Sequence, residues 1–302
     1  MFPAFLTTVC FSLSAVLANR SQQVLGPARA NLGRLLVGLV FLGLWAFLFG
    51  QGLRGAALNQ FLLSGVLGMG LSDLAFFAAL PRLGSRLTTM MNQCLAVPIA
   101  IMVEWLWLDT RLTPAQLACS AVILSGIVLA LMPTRANPPR VKVRSWGVVF
   151  GVLAAAGQAL GAVVSRRGFA VAAAAGEHLD GLTAAFQRIV GGLVLTGTWF
   201  ALQWWVESRR ADPTRTAAAR AHQPRDYLWV LGNAFAGPIL GMSSYQWALA
   251  TAPSGIVLPI TATTPLVIIP FARWIEGEKS PFRSLVGGAI AVGGAVALTL
   301  VS

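Results

Sequence analysis

The chain contains the same short pattern twice, and each copy opens a hydrophobic segment. Residues 34–40 read RLLVGLV and residues 188–194 read RIVGGLV, with a glycine and a tryptophan following at the same distances in both copies. A second set of matches at one constant spacing pairs Pro98, Trp107, Pro114 and Gly126 with Pro265, Trp274, Pro281 and Gly293. The sequence therefore predicts two copies of one structural unit.

The composition is that of a membrane protein. Hydrophobic residues make up 56% of the chain and charged residues 11%, whereas soluble domains carry about 25% charged residues. A helix needs roughly 20 apolar residues to cross the hydrocarbon core. The apolar stretches are residues 3–18, 32–49, 58–80, 87–108, 114–132, 146–164, 182–206, 227–250, 256–274 and 284–301. The predicted fold class is an all-α membrane protein with about ten transmembrane helices.

The repeat and the apolar stretches together predict the domain organisation. Residues 1–132 are expected to form a first five-helix repeat, residues 133–145 a basic connecting loop, and residues 146–302 a second five-helix repeat. No basic stretch precedes the first apolar segment, so this segment is expected to be a retained helix rather than a signal peptide. In a membrane protein, an internal repeat of this size is typical of a transporter.

The net charge of +12 does not require a nucleic-acid partner, because basic residues in short loops fix the orientation of membrane proteins. Most of the 22 Lys and Arg residues fall in the loops between helices 1–2, 3–4, 5–6, 7–8 and 9–10. The opposite side is assigned Arg54, Arg111, Arg166 and Arg167. The pattern predicts that the basic loops are cytoplasmic and that both termini lie outside the cytoplasm.

The same distribution predicts that the two repeats are inverted relative to each other. Within the first unit the basic residues lie mainly in the first and third loops, and within the second unit mainly in the second and fourth. Inverted repeats place a substrate site at their interface, near the middle of the bilayer, and open it to either side by rocking.

Asp73 lies well inside the third predicted helix, in the run GMGLSDL. An ionisable group at that depth costs at least a few kcal/mol, so it is expected to face a cavity or a partner. Asp73 is therefore a candidate for substrate binding or ion coupling. The alternative is a hydrogen-bonded carboxyl group that ties this helix to a neighbour.

Three other charged residues lie inside apolar stretches. Glu104 is near a helix end between tryptophans, and it is predicted to be an interfacial carboxylate. Arg34 and Arg188 lie about one turn inside their helices, and their side chains are predicted to extend to the lipid headgroups.

The fourth and ninth predicted helices combine prolines with clustered polar residues. Residues 88–94 read TTMMNQC ahead of Pro98, and residues 259–265 read PITATTP. A proline frees a carbonyl one turn back, and irregular backbone at this depth must face protein or water. We therefore expect Pro98, Pro259 and Pro265 to break their helices beside a substrate pocket. The alternative is a kink whose carbonyls are satisfied by Ser or Thr side chains.

Polar residues on these and other helices are predicted to contact the substrate. The candidates are Asp73, Asn92, Gln93, Tyr245, Gln246, Thr261, Thr263 and Thr264. Additional polar residues that could face the pocket are Gln158, Gln187, Asn233 and Ser244.

An intramembrane enzyme is the rival class of function, and it would need a nucleophile with a base or a set of metal ligands. The two histidines, His178 and His222, fall in predicted loops, and Asp73 has no second intramembrane aspartate beside it. We therefore expect no catalytic residues, no cofactor and no metal. A membrane scaffold without transport activity stays open as a third class.

The chain resembles the ten-helix, EamA-type branch of the drug/metabolite transporter superfamily in the order and spacing of its repeats, arginines, prolines and glycines. The resemblance covers the whole chain and rests on the duplicated unit, on Arg34 and Arg188, on Pro98 and Pro265, and on the run GEK at 277–279 before the last helix. The first copy reads DTR at 109–111 in place of GEK. The family's acidic residue is therefore displaced or lost in the first unit.

The resemblance and the repeat together imply a secondary active or facilitative transporter, expected to be an exporter. Its substrate would be a small metabolite such as an amino acid or a related compound, moved by alternating access at the repeat interface. The alternative is a carrier or flippase for nucleotide-linked or lipid-linked sugars. The expected partners are the substrate and the lipid bilayer, with no nucleic acid, and a homo-oligomer is compatible with the sequence. Arginine strongly outnumbers lysine, which fits a GC-rich bacterial genome. The expected location is the bacterial cytoplasmic (inner) membrane.

Overall fold

The computed structural model describes residues 1–25, 27–132, 145–210, 226–268, 271 and 282–302, and these residues form helices and no strand. The helices are α1 (Phe2–Leu25), α2 (Pro27–Leu48), α3 (Leu58–Leu83), α4 (Ser85–Leu108), α5 (Pro114–Leu131), α6 (Ser145–Ala174), α7 (Gly181–Arg210), α8 (226–251), α9 (Ser254–Ile268) and α10 (Phe282–Leu300).

Six of these helices, α1, α3, α4, α5, α6 and α10, contain stretches long and apolar enough to cross a membrane. Shorter apolar stretches lie in α2 and α9, at Leu32–Leu48 and Ser254–Ile268. Helices suit this environment because each satisfies its own backbone polar groups where no water is present. The prediction of an all-helical, multi-pass membrane protein with about ten helices is confirmed.

Two predicted helix boundaries differ clearly from the structure. α1 continues to Leu25 and α2 begins at Pro27, so the first predicted loop is very short. α6 continues to Ala174, so the assignment of Arg166 and Arg167 to a loop is wrong. Their charges are accommodated within the helix, because Arg166 forms an ion pair and the Arg167 guanidinium lies 4.7 Å from the Trp107 ring centroid.

The two halves of the chain pack through equivalent helix pairs. α3 packs against α6 and α7, and its counterpart in the second half, α8, packs against α1 and α2. Likewise α4 contacts α6, its counterpart α9 contacts α1, and α5 packs against α10. The Ser64 and Ser72 hydroxyls of α3 donate to the Gly161 and Ala154 carbonyls of α6, at 2.6 and 2.8 Å. Interhelical hydrogen bonds and small residues stabilise such contacts in lipid, where apolar burial between helices adds little.

Two helices at equivalent places in the two halves contain a π-helical turn. The turn in α3 spans Val66–Leu71 and directly precedes Ser72 and Asp73. The turn in α8 spans Phe235–Gly241 and contains Pro238. Such π segments frequently occur at functional sites. The helix breaks predicted from the sequence lie elsewhere, in α4 and α9.

The predicted breaks in α4 and α9 have different outcomes. α4 is helical without interruption from Ser85 to Leu108, so a break at Pro98 is not found. A single proline removes only one backbone donor, and a membrane helix can continue through it. In α9, the regular helix ends at Ala262 and resumes after a turn at Thr263, between Pro259 and Pro265.

Candidate functional site

A central cavity of about 280 Å³ lies between the two halves of the chain. It is bordered by α1, α3 and α4 from the first half and by α6, α7, α8 and α9 from the second. The lining residues are Phe11, Gly68, Ser72, Asp73, Phe76, Thr89, Asn92, Gln93, Gln158, Arg188, Met242, Tyr245 and Thr261. The structure thus brings together five of the predicted substrate-binding residues, namely Asp73, Asn92, Gln93, Tyr245 and Thr261.

A larger and more open groove of about 630 Å³ lies beside α4 and α5, and Pro98 borders it. Its walls are mainly apolar, and Met102 and Trp105 are about half exposed on the outer surface. Its open, mainly apolar surface is the kind that suits contact with lipid. The central cavity is the better candidate site, because ionisable and amide groups converge there.

Arg188 is the most enclosed charged group at the central cavity. Its residue is 3% exposed, and its Nη1 donates to the Gln246 Oε1 at 3.2 Å and to the Ser165 Oγ at 3.3 Å. Its guanidinium carbon lies 5.5 Å from the Tyr245 ring centroid, within the range of a cation–π contact. The prediction that Arg188 extends to the lipid headgroups is wrong, since this network holds the side chain inside the protein.

Asp73 lies close to that arginine and between two cavities. Its carboxylate interacts electrostatically with Arg34 and Arg188. Besides the central cavity, Asp73 borders a second cavity of about 30 Å³ between α2, α3 and α7, which is large enough to hold a water molecule. Asp73 follows the π turn of α3 directly, so the side chain lies where the helix is locally irregular.

A chain of amide hydrogen bonds connects α4 to α6 along the wall of the central cavity. The Asn92 Nδ2 donates to the Gln158 Oε1 at 2.6 Å, and the Gln158 Nε2 donates to the Gln93 Oε1 at 3.0 Å. Gln158 therefore joins the two predicted substrate residues on α4 and fixes their orientation.

Three of the predicted substrate residues do not line the central cavity. Gln246 is fully buried behind Arg188, and its Nε2 donates to the Ser165 Oγ at 3.1 Å. The Thr263 and Thr264 hydroxyls donate within α9, to the Ile260 and Thr261 carbonyls, each at 2.6 Å. The Thr261 carbonyl is the one that Pro265 frees, so Thr264 satisfies the kink locally.

Of the four additional polar candidates, Gln158 lines the central cavity and the other three do not. Gln158 lines the cavity, whereas the Gln187 Nε2 donates to the Gly52 and Arg54 carbonyls at 2.9 and 3.1 Å, in the loop before α3. The Asn233 Oδ1 accepts from the Ser14 Oγ at 2.7 Å, and Ser244 is buried in α8. Among the described residues, no group of three or more His, Cys, Asp or Glu side chains is placed to hold a metal ion.

Glu104, predicted to be an interfacial carboxylate, is enclosed by other helices near the end of α4. Its residue is 2% exposed, and Oε1 accepts from the Arg166 Nε at 3.2 Å. Oε2 accepts from the Ser254 hydroxyl and from the Gly255 backbone N–H, at the N-terminus of α9. Arg166 in turn donates to the Leu249 carbonyl of α8 at 3.2 Å. This cluster, called here the Glu104 cluster, joins α4, α6, α8 and α9.

Comparison with known proteins identifies a family and solved structures of similar fold. The EamA-like transporter family model matches residues 1–132 and 145–300. A crystal structure of a protein that is 16% identical aligns over 99% of this chain and 96% of its own, with a TM-score of 0.72. At that identity the likeness supports a shared fold alone. A search of the curated proteins found no match.

The two matched segments take in all ten helices and every residue that lines the central cavity. The match thus assigns the chain to a group of membrane transporters of small molecules, and the chain belongs to the EamA-like transporter family.

Proposed function

We propose that the protein is a secondary active or facilitative transporter, working as an exporter of a small metabolite such as an amino acid or a related compound. The observation that carries the proposal is the central cavity between the two halves, where Asp73, Arg188 and the amides of α4 and α6 converge. The apolar side chains of Phe11, Phe76 and Met242 complete the lining. A mainly apolar pocket with a few placed polar groups is the usual form of a small-molecule site.

The paired architecture of the helices supports transport by alternating access. Both halves contribute walls to the cavity, and the equivalent helices α3 and α8 each carry a π turn. Opposite orientation of the two repeats would let them exchange conformations, so that the site opens first to one side and then to the other.

Polar contacts at one end of the bundle support a conformation closed on that side. The Glu104 cluster lies near the ends of α4 and α6 that point to the same side as both chain termini. At the same end, the Glu177 carboxylate accepts from the Ala56 backbone N–H at 3.0 and 3.2 Å, and the Trp45 Nε1 donates to the Asp180 Oδ1 at 3.1 Å. The lining residues Phe76 and Thr89 lie toward the opposite ends of α3 and α4. We propose that the cavity opens toward the basic loops.

The proposed orientation can be tested directly, because the basic loops should be cytoplasmic in a bacterial inner membrane. Cysteines replacing Ser145 and Ala219, in a variant without Cys10, Cys94 and Cys119, are expected to resist an impermeant maleimide in intact cells. A cysteine replacing Thr110, in the loop between α4 and α5, is expected to react and serves as the control. Labelling of the Ser145 and Ala219 positions from outside would reverse the orientation.

Nucleotide-linked sugars, the alternative substrate class, fit the central cavity less well. A nucleotide-linked sugar carries two phosphates, which would call for two or more basic residues facing the site, and Arg188 is the one arginine among the described lining residues. The cavity of about 280 Å³ is also at the lower limit of volumes for small-molecule pockets. A scaffold without transport activity would not need converging polar side chains at this depth.

Ligand screening of the purified protein tests the proposed function. A substrate stabilises the folded state by mass action, so at least one amino acid, amine, organic acid, sugar or nucleotide is expected to raise the melting temperature. Asn92→Leu is expected to weaken binding of that ligand by on the order of tenfold, because it removes an amide of the cavity wall. The proposal would be contradicted if no compound stabilises the protein and none is transported by it in liposomes.

Thr263→Val provides the matched control for Asn92→Leu. The Thr263 hydroxyl donates to the Ile260 carbonyl within α9 and does not line the cavity. We expect this variant to lower the melting temperature slightly and to leave ligand affinity unchanged. Equal loss of affinity in both variants would place the ligand against α9 instead of the α4 and α6 amides.

A further inference from the structure

Both oxygens of the Glu104 carboxylate are bound by groups from the other half of the chain. Oε1 accepts from Arg166 on α6, and Oε2 accepts from the Ser254 hydroxyl and the Gly255 N–H at the start of α9. Arg166 also donates to the Leu249 carbonyl near the end of α8. A buried ion pair needs such additional hydrogen bonds to offset the loss of hydration. The Glu104 cluster is therefore a well-satisfied polar contact between the two halves.

The Glu104 cluster lies between the central cavity and the side of the chain termini. On α4, Gln93 lines the cavity, and Glu104 follows about three turns later, roughly 16 Å along the helix. On α9, Gly255 at the start of the helix precedes the lining residue Thr261. The two helices approach closely there, since a Cβ at Gly255 would lie 2.8 Å from the Ile101 Cγ1. α4 and α9 therefore meet across the terminal side of the cavity.

The internal repeat relates this polar contact to an apolar one. The constant spacing of the second set of repeat matches relates Glu104 to Phe271 and Leu87 to Ser254. An exchange of conformations between inverted repeats would bring the apolar pair together on the opposite side. Apolar burial between helices adds little stability in lipid, whereas interhelical hydrogen bonds contribute to it. The two closed conformations are thus expected to be unequally stable, with the more stable one closed at the Glu104 cluster.

We propose that the Glu104 cluster is the gate of the central cavity on the side of the chain termini, and that the start of α9 moves away from α4 when this gate opens. The inference rests on the transport function proposed above and names the contact that controls access from that side. A buried carboxylate left without partners is costly, so the cluster separates only when water reaches Glu104 and Arg166. The conformation open toward the basic loops is the more populated one.

A single cysteine in the cavity wall reports the opening of this gate. Met242→Cys, in the variant without the three native cysteines, places a thiol at the central cavity. A small impermeant methanethiosulfonate is applied to intact cells, which expose the termini in the orientation proposed above, or to inverted vesicles. Its reaction at residue 242 is quantified by mass spectrometry. We expect reaction from the side of the termini to be on the order of tenfold slower than from the other side. Equal rates would contradict a gate at this place.

Substitutions in the Glu104 cluster should open the gate. Glu104→Gln removes the charge that pairs with Arg166, so reaction at residue 242 from the side of the termini should rise on the order of tenfold. Ser254→Ala removes one hydrogen bond and should raise that rate roughly threefold, which keeps the test valid if Glu104→Gln does not fold. Asp109→Asn, at an exposed carboxylate after the end of α4, is the control and should change nothing. An unchanged rate in folded Glu104→Gln or in Ser254→Ala would overturn the inference.

A disulfide across the gate tests whether α9 moves away from α4. Ile101→Cys and Gly255→Cys suit a disulfide, because a Cβ at Gly255 would lie 2.8 Å from the Ile101 Cγ1, where a cysteine sulfur would lie. In the Glu104→Gln or Ser254→Ala protein, oxidation of this pair should return the rate from the side of the termini to that of Met242→Cys alone or below. The rate from the other side should stay unchanged, and reduction should reverse the effect. An oxidised protein that still reacts rapidly from the side of the termini would refute the gate.

Ile123→Cys with Gly294→Cys is the matched control, on α5 and α10. A Cβ at Gly294 would lie 2.9 Å from the Ile123 Cγ1, and no described residue of these two helices lines the central cavity. We expect this disulfide to leave both rates unchanged. If it also blocks reaction from the side of the termini, any link between the halves prevents opening, and the assignment to the Glu104 cluster falls. Labelling that follows the gate, in a protein that moves no compound into liposomes, would refute the proposed transport function and leave the gate intact.

Discussion

Asp73→Asn is expected to lower the transport rate by about tenfold or more while the protein stays folded and inserted. The substitution keeps the volume of the side chain but removes its charge and its ability to gain and lose a proton, which a coupling carboxylate requires. Asp73 lines both the central cavity and the small cavity behind it, so its carboxylate is placed to connect these two cavities. The measurement is substrate exchange in liposomes at several pH values.

Asp109→Asn is the matched control for this experiment. The Asp109 side chain is 87% exposed, and its left-handed backbone, with φ of 52°, is one that asparagine adopts readily. We expect this variant to transport at the wild-type rate. If Asp73→Asn also transports at that rate, with unchanged pH dependence, then Asp73 only ties α3 to its neighbours.

Gly191→Ala is expected to destabilise the protein by about 3 kcal/mol, the upper part of the range for overpacked sites. A Cβ at Gly191 would lie 2.8 Å from the backbone carbonyl carbon of Leu62 and 2.9 Å from its Cα, and would meet its carbonyl oxygen. Backbone atoms cannot rotate away as a side chain can, so α7 and α3 would have to separate. Since this contact supports both Arg188 and the π turn, we expect ligand binding to fall as well.

Gly197→Ala, on the same helix, is the matched control, because a Cβ there would have no neighbour within 4 Å. Its melting temperature should stay close to the wild-type value, whereas Gly191→Ala should melt roughly 5–10 °C lower, by the usual relation between stability and melting temperature. Equal melting temperatures for the two variants would show that α3 and α7 do not approach each other as closely as the distances at Gly191 indicate.

Most of the helices were predictable from hydropathy, because six of them contain a continuous apolar run long enough to cross a membrane. Asp73 was predictable for the converse reason, as an isolated carboxylate within such a run. The extension of α6 past Val164 was not predictable. It depends on an ion pair between Arg166 and Glu104, which is distant in sequence on another helix. Local sequence likewise cannot distinguish an arginine that reaches the headgroups from one, such as Arg188, held by Ser165 and Gln246. The sequence signal for the buried Arg188 is its position in the second repeat, which is equivalent to that of Arg34 in the first.

The polar clusters of α4 and α9 look alike in sequence but take different roles. On α4, Asn92 and Gln93 find a common partner in Gln158 and stay at the cavity wall. On α9, Thr263 and Thr264 donate to carbonyls of their own helix. Which outcome follows depends on the facing helix, and a single sequence does not specify that helix.

A structure determined with a ligand that raises the melting temperature tests the central claim most directly. We expect the ligand to lie in the central cavity between the two halves, in contact with Arg188 and with Asn92 on the cavity wall. Ligand density in the groove beside Pro98 and Trp105, or anywhere outside the walls formed by both halves, would contradict the claim that the molecule carries its substrate through this site.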